Sequence, residues 1–310
     1  MLPLLYGPEA APAILENYET APIPELHKLM FRWVERFTRC SWELGETDLE
    51  PLRAAGLTDA DIVHWAQVAS LQGWWTMSAD GGGIPLEGNA VTGPVVGRPR
   101  EFYEARPEGL TAADSDAAPR APRASNGVAW VALDLESDGY LEAAGHAEGR
   151  YGFVPNLYKA VSLRPEVFPR HELALQLLEA PVTARLSARR KAMARACAAS
   201  LNHGSYSLET VRTQLERAAP DEPDLFERIH AGDADAARDP ADRAVLDFTR
   251  KVVRNTYKVT EKDAISFRES GLDDAAYIEV LNTAAIQTSF DRLTHALGVT
   301  LDGRPLLPGA

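Results

Sequence analysis

Residues 268–299 of the chain read RESGLDDAAYIEVLNTAAIQTSFDRLTHALGV. Apolar side chains such as Ile278 and Leu281 recur in this stretch at the spacing of one face of an α-helix. Gly271 suits the left-handed turn that ends a preceding helix, and Asp274 places an acid at the start of the next one. We therefore predict a turn followed by a long helix that ends at the last glycine of the stretch.

The same pattern occurs a second time in the chain. Residues 39–88 align with residues 254–303 at an offset of 215 residues and without a gap. The identical pairs include Arg53 and Arg268, Gly56 and Gly271, and Asp59 and Asp274. A long helical stretch precedes the second copy but has no counterpart before the first. These features predict an internal partial duplication, in which the N-terminal copy keeps only the second half of a domain.

The predicted fold class is all-α. The best candidate for a strand is VAWVALDL at 128–135, which is short. Residues 105–128 are rich in Ala, Pro, Asp and Ser and lack hydrophobic periodicity, which is typical of a linker. The predicted organisation is an N-terminal half-repeat at 1–104, a linker at 105–128 and a complete helical domain at 129–310.

Composition limits the possible function classes. The chain has 310 residues, with 45 acidic residues, 32 basic residues and a net charge of −13, which disfavours binding to nucleic acid. We interpret its densest basic run as the exposed face of a helix: Arg185, Arg189, Arg190, Lys191 and Arg195. Two distant cysteines favour a reducing cytoplasm over a disulfide framework. We find neither a signal peptide nor an apolar run long enough to span a membrane.

Several short motifs occur in a fixed order in the C-terminal two-thirds of the chain. They are GFVPN at 152–156, RPE at 164–166, the Ser-Leu-Asn turn at 200–202, RESGLDD at 268–274 and FDRLTHALGV at 290–299. Over about 150 residues this region resembles the peroxidase-related branch of the alkylhydroperoxidase D and carboxymuconolactone decarboxylase superfamily. The resemblance implies an all-helical domain with one site per chain, at the junction of two helices after the Leu-Asn pair.

The resemblance also implies that the redox chemistry of that family is lost. It places the family's two cysteines at Gly204 and Ser207, the upstream glutamate at Ala192 and the relay histidine at Val211. A serine hydroxyl cannot cycle through sulfenic acid and disulfide. Cys197 lies where a core helix would bury it. We therefore expect that the protein is not a thiol peroxidase.

The segment after the Leu-Asn pair supplies the first set of candidate site residues. We assign possible catalytic roles to His203, Tyr206 and Ser207, and substrate-binding roles to Asn202, Ser205 and Glu209. The histidine could act as an acid or base, and backbone N–H groups at the start of the next helix could bind an anion. The alternative is that a serine caps this helix and that the histidine is solvated.

A second set lies on the last long helix and in the N-terminal half. Gln287, Asp291 and His295 are spaced four residues apart on one face, so Asp291 could orient His295 as a general base. An ordinary surface or interface pair is the alternative. Trp74 and Trp75 could form an aromatic wall for an apolar ligand or simply pack in the core. The histidines show no metal-ligand spacing, so we expect neither a metal nor another cofactor.

Two functions remain open from the sequence, beside an alkylhydroperoxidase-type activity that the family name alone suggests. One is a cofactor-independent enzyme that uses acid–base chemistry on a small, partly aromatic molecule, such as decarboxylation, isomerisation, cyclisation or hydrolysis. The other is a non-catalytic binding or scaffold protein that kept the fold. We expect a small-molecule substrate, no nucleic-acid or membrane partner, and a homodimer or larger homo-oligomer.

Overall fold

The computed structural model describes residues 2–84, 124–179, 181, 186–233 and 235–308. Within these ranges the chain is helical and contains no strand, so the predicted all-α class is confirmed. The N-terminal half contributes helices α1 Leu2–Asn17, α2 Glu25–Cys40, α3 Glu50–Ala54 and α4 Asp59–Gly81. No helix in the described ranges is both long enough and apolar enough to cross a bilayer.

Nine helices follow in the C-terminal part that the structure describes. They are α5 Asp138–Tyr151, α6 Asn156–Ala160, α7 Phe168–Glu179, α8 Ala188–Leu201, α9 Leu208–Ala218, α10 Leu225–His230, α11 Pro240–Asn255, α12 Glu261–Glu269 and α13 Asp274–Ala296. Most of the predicted linker lies outside the described residues, and its last part, from residue 124, is irregular. The domain boundaries at 104 and 129 stay predictions.

The strand candidate at 128–135 is irregular backbone that lies beside the end of α13. The Trp130 N–H donates to the Leu297 carbonyl at 2.9 Å, and the Thr300 N–H donates to the Val128 carbonyl at 2.8 Å. These bonds satisfy buried backbone groups without a strand ladder.

Two helices of the N-terminal half, α2 and α4, recur 215 residues later with the same lengths. Helices α2 and α4 begin and end at positions that correspond to the bounds of α11 and α13. Both copies have a left-handed glycine before the long helix, with φ of 98° at Gly56 and 92° at Gly271. This recurrence agrees with the repeat seen in the sequence, while an origin by duplication stays a prediction.

The two long helices, α4 and α13, pack against each other in antiparallel orientation. Ser78 on the late part of α4 bonds Asn282 on the early part of α13, at 3.0 Å between Oγ and Oδ1. Nearer the middle of both helices, Ser70 Oγ donates to the Ser289 carbonyl at 2.8 Å. Because α13 also carries one wall of the predicted site, this packing ties the N-terminal half to that site.

Helix α8 is enclosed by its neighbours, and residues 191–199 are all buried. It packs against α9, α10, α11 and α13, which leaves this stretch no solvent face. The prediction of an exposed basic face is therefore wrong for Lys191 and Arg195, which are 2% and 4% exposed. Lys191 forms a buried ion pair with Glu279 at 2.9 Å. Because this partner compensates the charge of Lys191, a helix with basic residues can lie in the core.

Candidate functional site

The junction between α8 and α9 holds a buried polar cluster centred on Asp291, whose side chain has no exposed surface. Ser207 Oγ donates to Asp291 Oδ1 at 2.5 Å. Asn202 Nδ2 donates to Oδ2 at 3.2 Å, and Gln287 Nε2 donates to Oδ1 at 2.9 Å. The structure thus brings together four residues that the sequence analysis proposed in two separate sets.

Glycine at position 204 is required by this cluster. A Cβ atom at Gly204 would lie 2.4 Å from Asp291 Oδ1 and 2.8 Å from Ser207 Oγ, both closer than non-bonded atoms approach. Position 204 is where the resemblance places the first redox cysteine of the family. A cysteine side chain there is incompatible with Asp291 in its present position.

Burial raises the pKa of Asp291 to about 6. The hydrogen bonds from Ser207, Asn202 and Gln287, and the positive charge of Arg195, favour the ionised form and limit this rise. Asp291 therefore changes its protonation state close to neutral pH, as a residue with an acid–base role must.

Arg195 is a buried cation beside this cluster, and the sequence analysis does not include it among the site residues. Its Nε donates to Gln287 Oε1 at 3.1 Å, and its Nη1 bonds Gln214. Gln287 thus bridges the guanidinium and the Asp291 carboxyl. Burial lowers the pKa of Arg195 to about 10, which still leaves the side chain charged at neutral pH. Arg195 lies one helical turn after Lys191 in the sequence. This spacing predicts that the two residues share a helix face, but it does not show whether that face is exposed or buried.

Ser207 and Arg195 line a small cavity of about 10 Å³, together with Tyr151, Leu175, Glu179, Thr210, Gln214, Phe290 and Leu306. Glu179, Arg195 and Gln214 also line a larger pocket of about 510 Å³. The larger pocket therefore leads towards Ser207, with these three side chains between the two spaces.

Positive charge dominates the wall of the larger pocket. Lys191, Arg195 and Arg217 line it, and Glu179 is the one carboxylate among its described lining residues. That carboxylate is paired with Arg150, and Lys191 is paired with the buried Glu279. Arg195 and Arg217 therefore give the wall its positive charge, which favours an anionic ligand.

His295 does not bond Asp291 but instead joins the two halves of the chain. Its Nε2 donates to the His203 carbonyl at 3.0 Å, and Ser41 Oγ lies 3.1 Å from its Nδ1. Burial lowers the pKa of His295 to about 4, so the ring is neutral at physiological pH. The predicted Asp291–His295 pair is therefore not formed, because each side chain faces a different neighbour.

His203 adopts a left-handed backbone conformation, with φ of 53°. Its ring lies against Trp42 of the N-terminal half, with 4.7 Å between the ring centroids. Burial, and then the positive charge of His230, lower the pKa of His203. The side chain is half-buried and packs against Trp42 at this contact.

Tyr206 is buried, and the partners of its hydroxyl lie outside the Asp291 cluster. Its hydroxyl donates to Asp302 Oδ2 at 2.5 Å and accepts from the Leu157 N–H at 3.3 Å. Burial, and then the Asp302 charge, raise the pKa of Tyr206. The segment after α13 thus contacts the junction through Asp302.

Four other predicted residues lie apart from the Asp291 cluster. Ser205 is half-buried, Glu209 is exposed and Trp75 is 59% exposed. Trp74 is half-buried and lines a different cavity, between α4 and α13. The structure does not bring these side chains together with Asp291.

The two cysteines are not placed for redox chemistry by the family mechanism. Cys197 is 2% exposed, and burial raises the pKa of its thiol to about 12. Burial also raises the pKa of the half-buried Cys40, with a further contribution from Glu43. Both thiols therefore disfavour the thiolate that attacks peroxide. Within the described ranges, no group of three or more His, Cys, Asp and Glu residues is arranged to hold a metal ion.

Comparison with known proteins gives structural neighbours but no sequence relatives. No protein-family model matches the chain, and no curated protein matches it. One structural neighbour is the alkylhydroperoxidase AhpD core of an uncharacterized peroxidase-related protein from Ralstonia eutropha JMP134. It has 20% identity and a TM-score of 0.50, and the match covers 56% of this chain and 93% of the neighbour. An uncharacterized peroxidase-related protein from Silicibacter sp. TM1040 has 21% identity and a TM-score of 0.49, over 63% of this chain and 96% of its own.

The first of these matches covers nearly the whole of its neighbour and about half of this chain. Identity at this level establishes the fold and leaves the activity open. The resemblance predicted from the sequence motifs is confirmed at the level of the fold: this chain has an alkylhydroperoxidase D-like, all-helical fold.

Proposed function

We propose that the protein is a cofactor-independent enzyme that catalyses proton transfer on a small carboxylate. The observation that carries the proposal is the Ser207–Asp291 hydrogen bond, which lies beside a small cavity that the side chains of Arg195, Glu179 and Gln214 separate from the larger pocket. A carboxyl group whose pKa is about 6 can both take up and return a proton near neutral pH.

The proposed roles follow from the positions of the three side chains. Arg195 binds the substrate carboxylate and stabilises negative charge that develops beside it. Ser207 Oγ accepts a proton from the substrate carbon next to the carboxylate while its own proton passes to Asp291 Oδ1. The reverse transfer returns a proton to the substrate, so that the enzyme regains its starting state. Isomerisation is the simplest net reaction of this kind.

Hydrogen exchange in D2O tests this proposal without knowledge of the natural substrate. A panel of small carboxylates with a C–H bond beside the carboxylate is incubated with the protein, and loss of that proton signal is followed by NMR. We expect exchange of at least one compound, with rates that fall by roughly 100-fold or more in Ser207→Ala and Asp291→Asn.

Matched controls separate this effect from a general disturbance of the fold. Ser266 and Asp247 are exposed residues on α12 and α11, so Ser266→Ala and Asp247→Asn should exchange like the unmodified protein. Equal rates in Ser207→Ala, Asp291→Asn and their controls would contradict the assignment of the site.

A second candidate function is carboxylate binding without turnover. It is favoured by the size of the inner cavity, about 10 Å³, which is the space of about one water molecule. It predicts saturable binding of carboxylates that Arg195→Met weakens, with no solvent exchange in any variant. Peroxidase activity suggested by the fold's name predicts peroxide turnover with a dithiol donor, and we expect that assay to show none.

Three further properties belong to the proposal. The proposed compartment is the cytoplasm, and the proposed assembly is a homodimer or larger homo-oligomer. An internal duplication is supported by the equal lengths of the paired helices. We also propose that the protein is related to the decarboxylase branch of the superfamily, on the basis of the sequence motifs and of the acid–base chemistry proposed for the Asp291 cluster.

A further inference from the structure

A second cavity, of about 90 Å³, lies between α4, α13 and α7 and is independent of the proposed catalytic site. Its apolar walls come from Val68, Leu71, Trp74, Val167, Ala174, Leu175, Ile286, Phe290 and Leu293. Leu175 and Phe290 also line the cavity beside Ser207, so their side chains separate the two spaces. His64 and Val68 line the new cavity and are exposed residues, which opens it to solvent on that side.

Two buried polar side chains line this apolar cavity without a hydrogen-bond partner in the protein. Gln67 is 4% exposed, and neither its Oε1 nor its Nε2 has a partner. Ser289 is 6% exposed, and its Oγ has no partner either. Gln67 is the one residue in the described ranges with two such atoms. Buried polar groups are nearly always hydrogen-bonded, so this pair needs an explanation.

The surrounding contacts hold the cavity open in its present shape. Trp74 Nε1 donates to Asn282 Oδ1 at 3.2 Å, which fixes the plane of the indole wall. Ser70 Oγ donates to the Ser289 carbonyl at 2.8 Å. This bond holds the backbone of Ser289, while the hydroxyl of Ser289 lines the cavity. The unpartnered polar atoms of Gln67 and Ser289 are themselves buried, so a molecule that enters from the side of His64 bonds them after small rotations of these side chains.

We infer that this cavity binds a small, neutral, mainly apolar molecule with a carboxamide or lactam edge. A primary amide such as that of Gln67 presents one donor and one acceptor side by side. Its best complement is an edge with one acceptor and one donor, which a lactam has and a ketone lacks. The Ser289 hydroxyl can add a third hydrogen bond. A carboxylate presents two acceptors and suits the Gln67 amide less well.

The test uses a matched pair of small rings as probes. 2-Pyrrolidone has a donor and an acceptor, and cyclopentanone has the same ring size with an acceptor alone. The ¹⁵N-labelled protein is titrated with each probe, and the side-chain NH2 signals of Gln67 and Gln72 are followed by NMR. Gln72 lies on the same helix, is exposed and bonds Thr76, so its signal is an internal control.

We expect saturable shifts of the Gln67 signal with 2-pyrrolidone and about tenfold weaker binding of cyclopentanone, since one hydrogen bond is lost. Gln67→Leu should remove the preference for the lactam, and Gln72→Leu should keep it. If Gln67→Leu fails to fold, Ser289→Ala is tested instead, and we expect this variant to bind 2-pyrrolidone more weakly than the unmodified protein does. No saturable shift of Gln67, or equal binding of the two probes to the unmodified chain, would overturn the inference, since water alone would then fill the cavity.

Discussion

The buried carboxyl of Asp291 gives a prediction about the pH dependence of stability. Its pKa is about 6 in the folded chain, against 3.8 for an exposed aspartate. The folded protein therefore holds this proton more tightly than the unfolded chain. The stability that the protonated form provides is fully present below pH 3.8 and is lost as the pH rises through 6. Asp291→Asn removes the ionisation and should remove this loss.

The magnitude follows from the two pKa values. A difference of about two units corresponds to about 3 kcal/mol once both states are ionised. Between about pH 4.5 and about pH 7.5, the linkage relation gives a loss of about 2 kcal/mol. Contributions from other titrating groups, such as His203 and His295, cancel when the variant is compared with the unmodified protein at each pH.

The measurement is urea unfolding followed by circular dichroism at the two pH values. The free energy of unfolding of Asp291→Asn, relative to the unmodified chain, should rise by about 2 kcal/mol from the lower to the higher pH. Asp247→Asn is the control, because the same chemical change is made at a side chain that is 62% exposed and lies outside the Asp291 cluster. A relative free energy that is the same at both pH values, or that falls, would refute the reasoning about Asp291.

Three further predictions concern packing and reactivity. Gly204→Ala should lower the free energy of unfolding by about 1–3 kcal/mol in urea denaturation, because the new methyl group overlaps Asp291. An unchanged free energy would contradict the claim that the cluster requires glycine at this position. Lys191→Met should cost about 3–5 kcal/mol by removing the cation opposite the buried Glu279, and adding Glu279→Leu should recover most of it; no recovery in the double variant would count against the ion pair. Cys197 should react with a thiol reagent only after unfolding, as followed by absorbance, and rapid reaction of the folded chain would contradict its burial.

Much of the helical architecture could be predicted from the sequence because it depends on local patterns. The period of apolar residues, the turn glycine Gly271 and the acidic start at Asp274 indicate the long helix α13, and its bounds agree with that prediction. Because the repeat aligns the same signals with the N-terminal half, it also predicts the long helix α4. Helix geometry repeats every few residues, so these signals need no knowledge of distant parts of the chain.

The partners of individual side chains could not be predicted in the same way. Helical spacing correctly placed Asp291 and His295 on neighbouring turns, but it suggested a bond between them that the structure does not form. Asp291 instead meets Ser207 across the junction, and His295 meets Ser41 from the N-terminal half. Spacing along a helix fixes which residues share a face, and the neighbouring helices decide what that face meets.

By itself, the sequence determined the helical class and showed that the chain has two cysteines, Cys40 and Cys197, which are far apart in the sequence. Both are properties of local pattern and of residue identity. Only the tertiary structure decided that Arg195 is buried beside the Asp291 cluster and that Gln67 lines a cavity without a protein partner. The physical reason is burial: the free energy of a charge or an amide depends on the groups and the solvent around it, and these come from helices far apart in the chain.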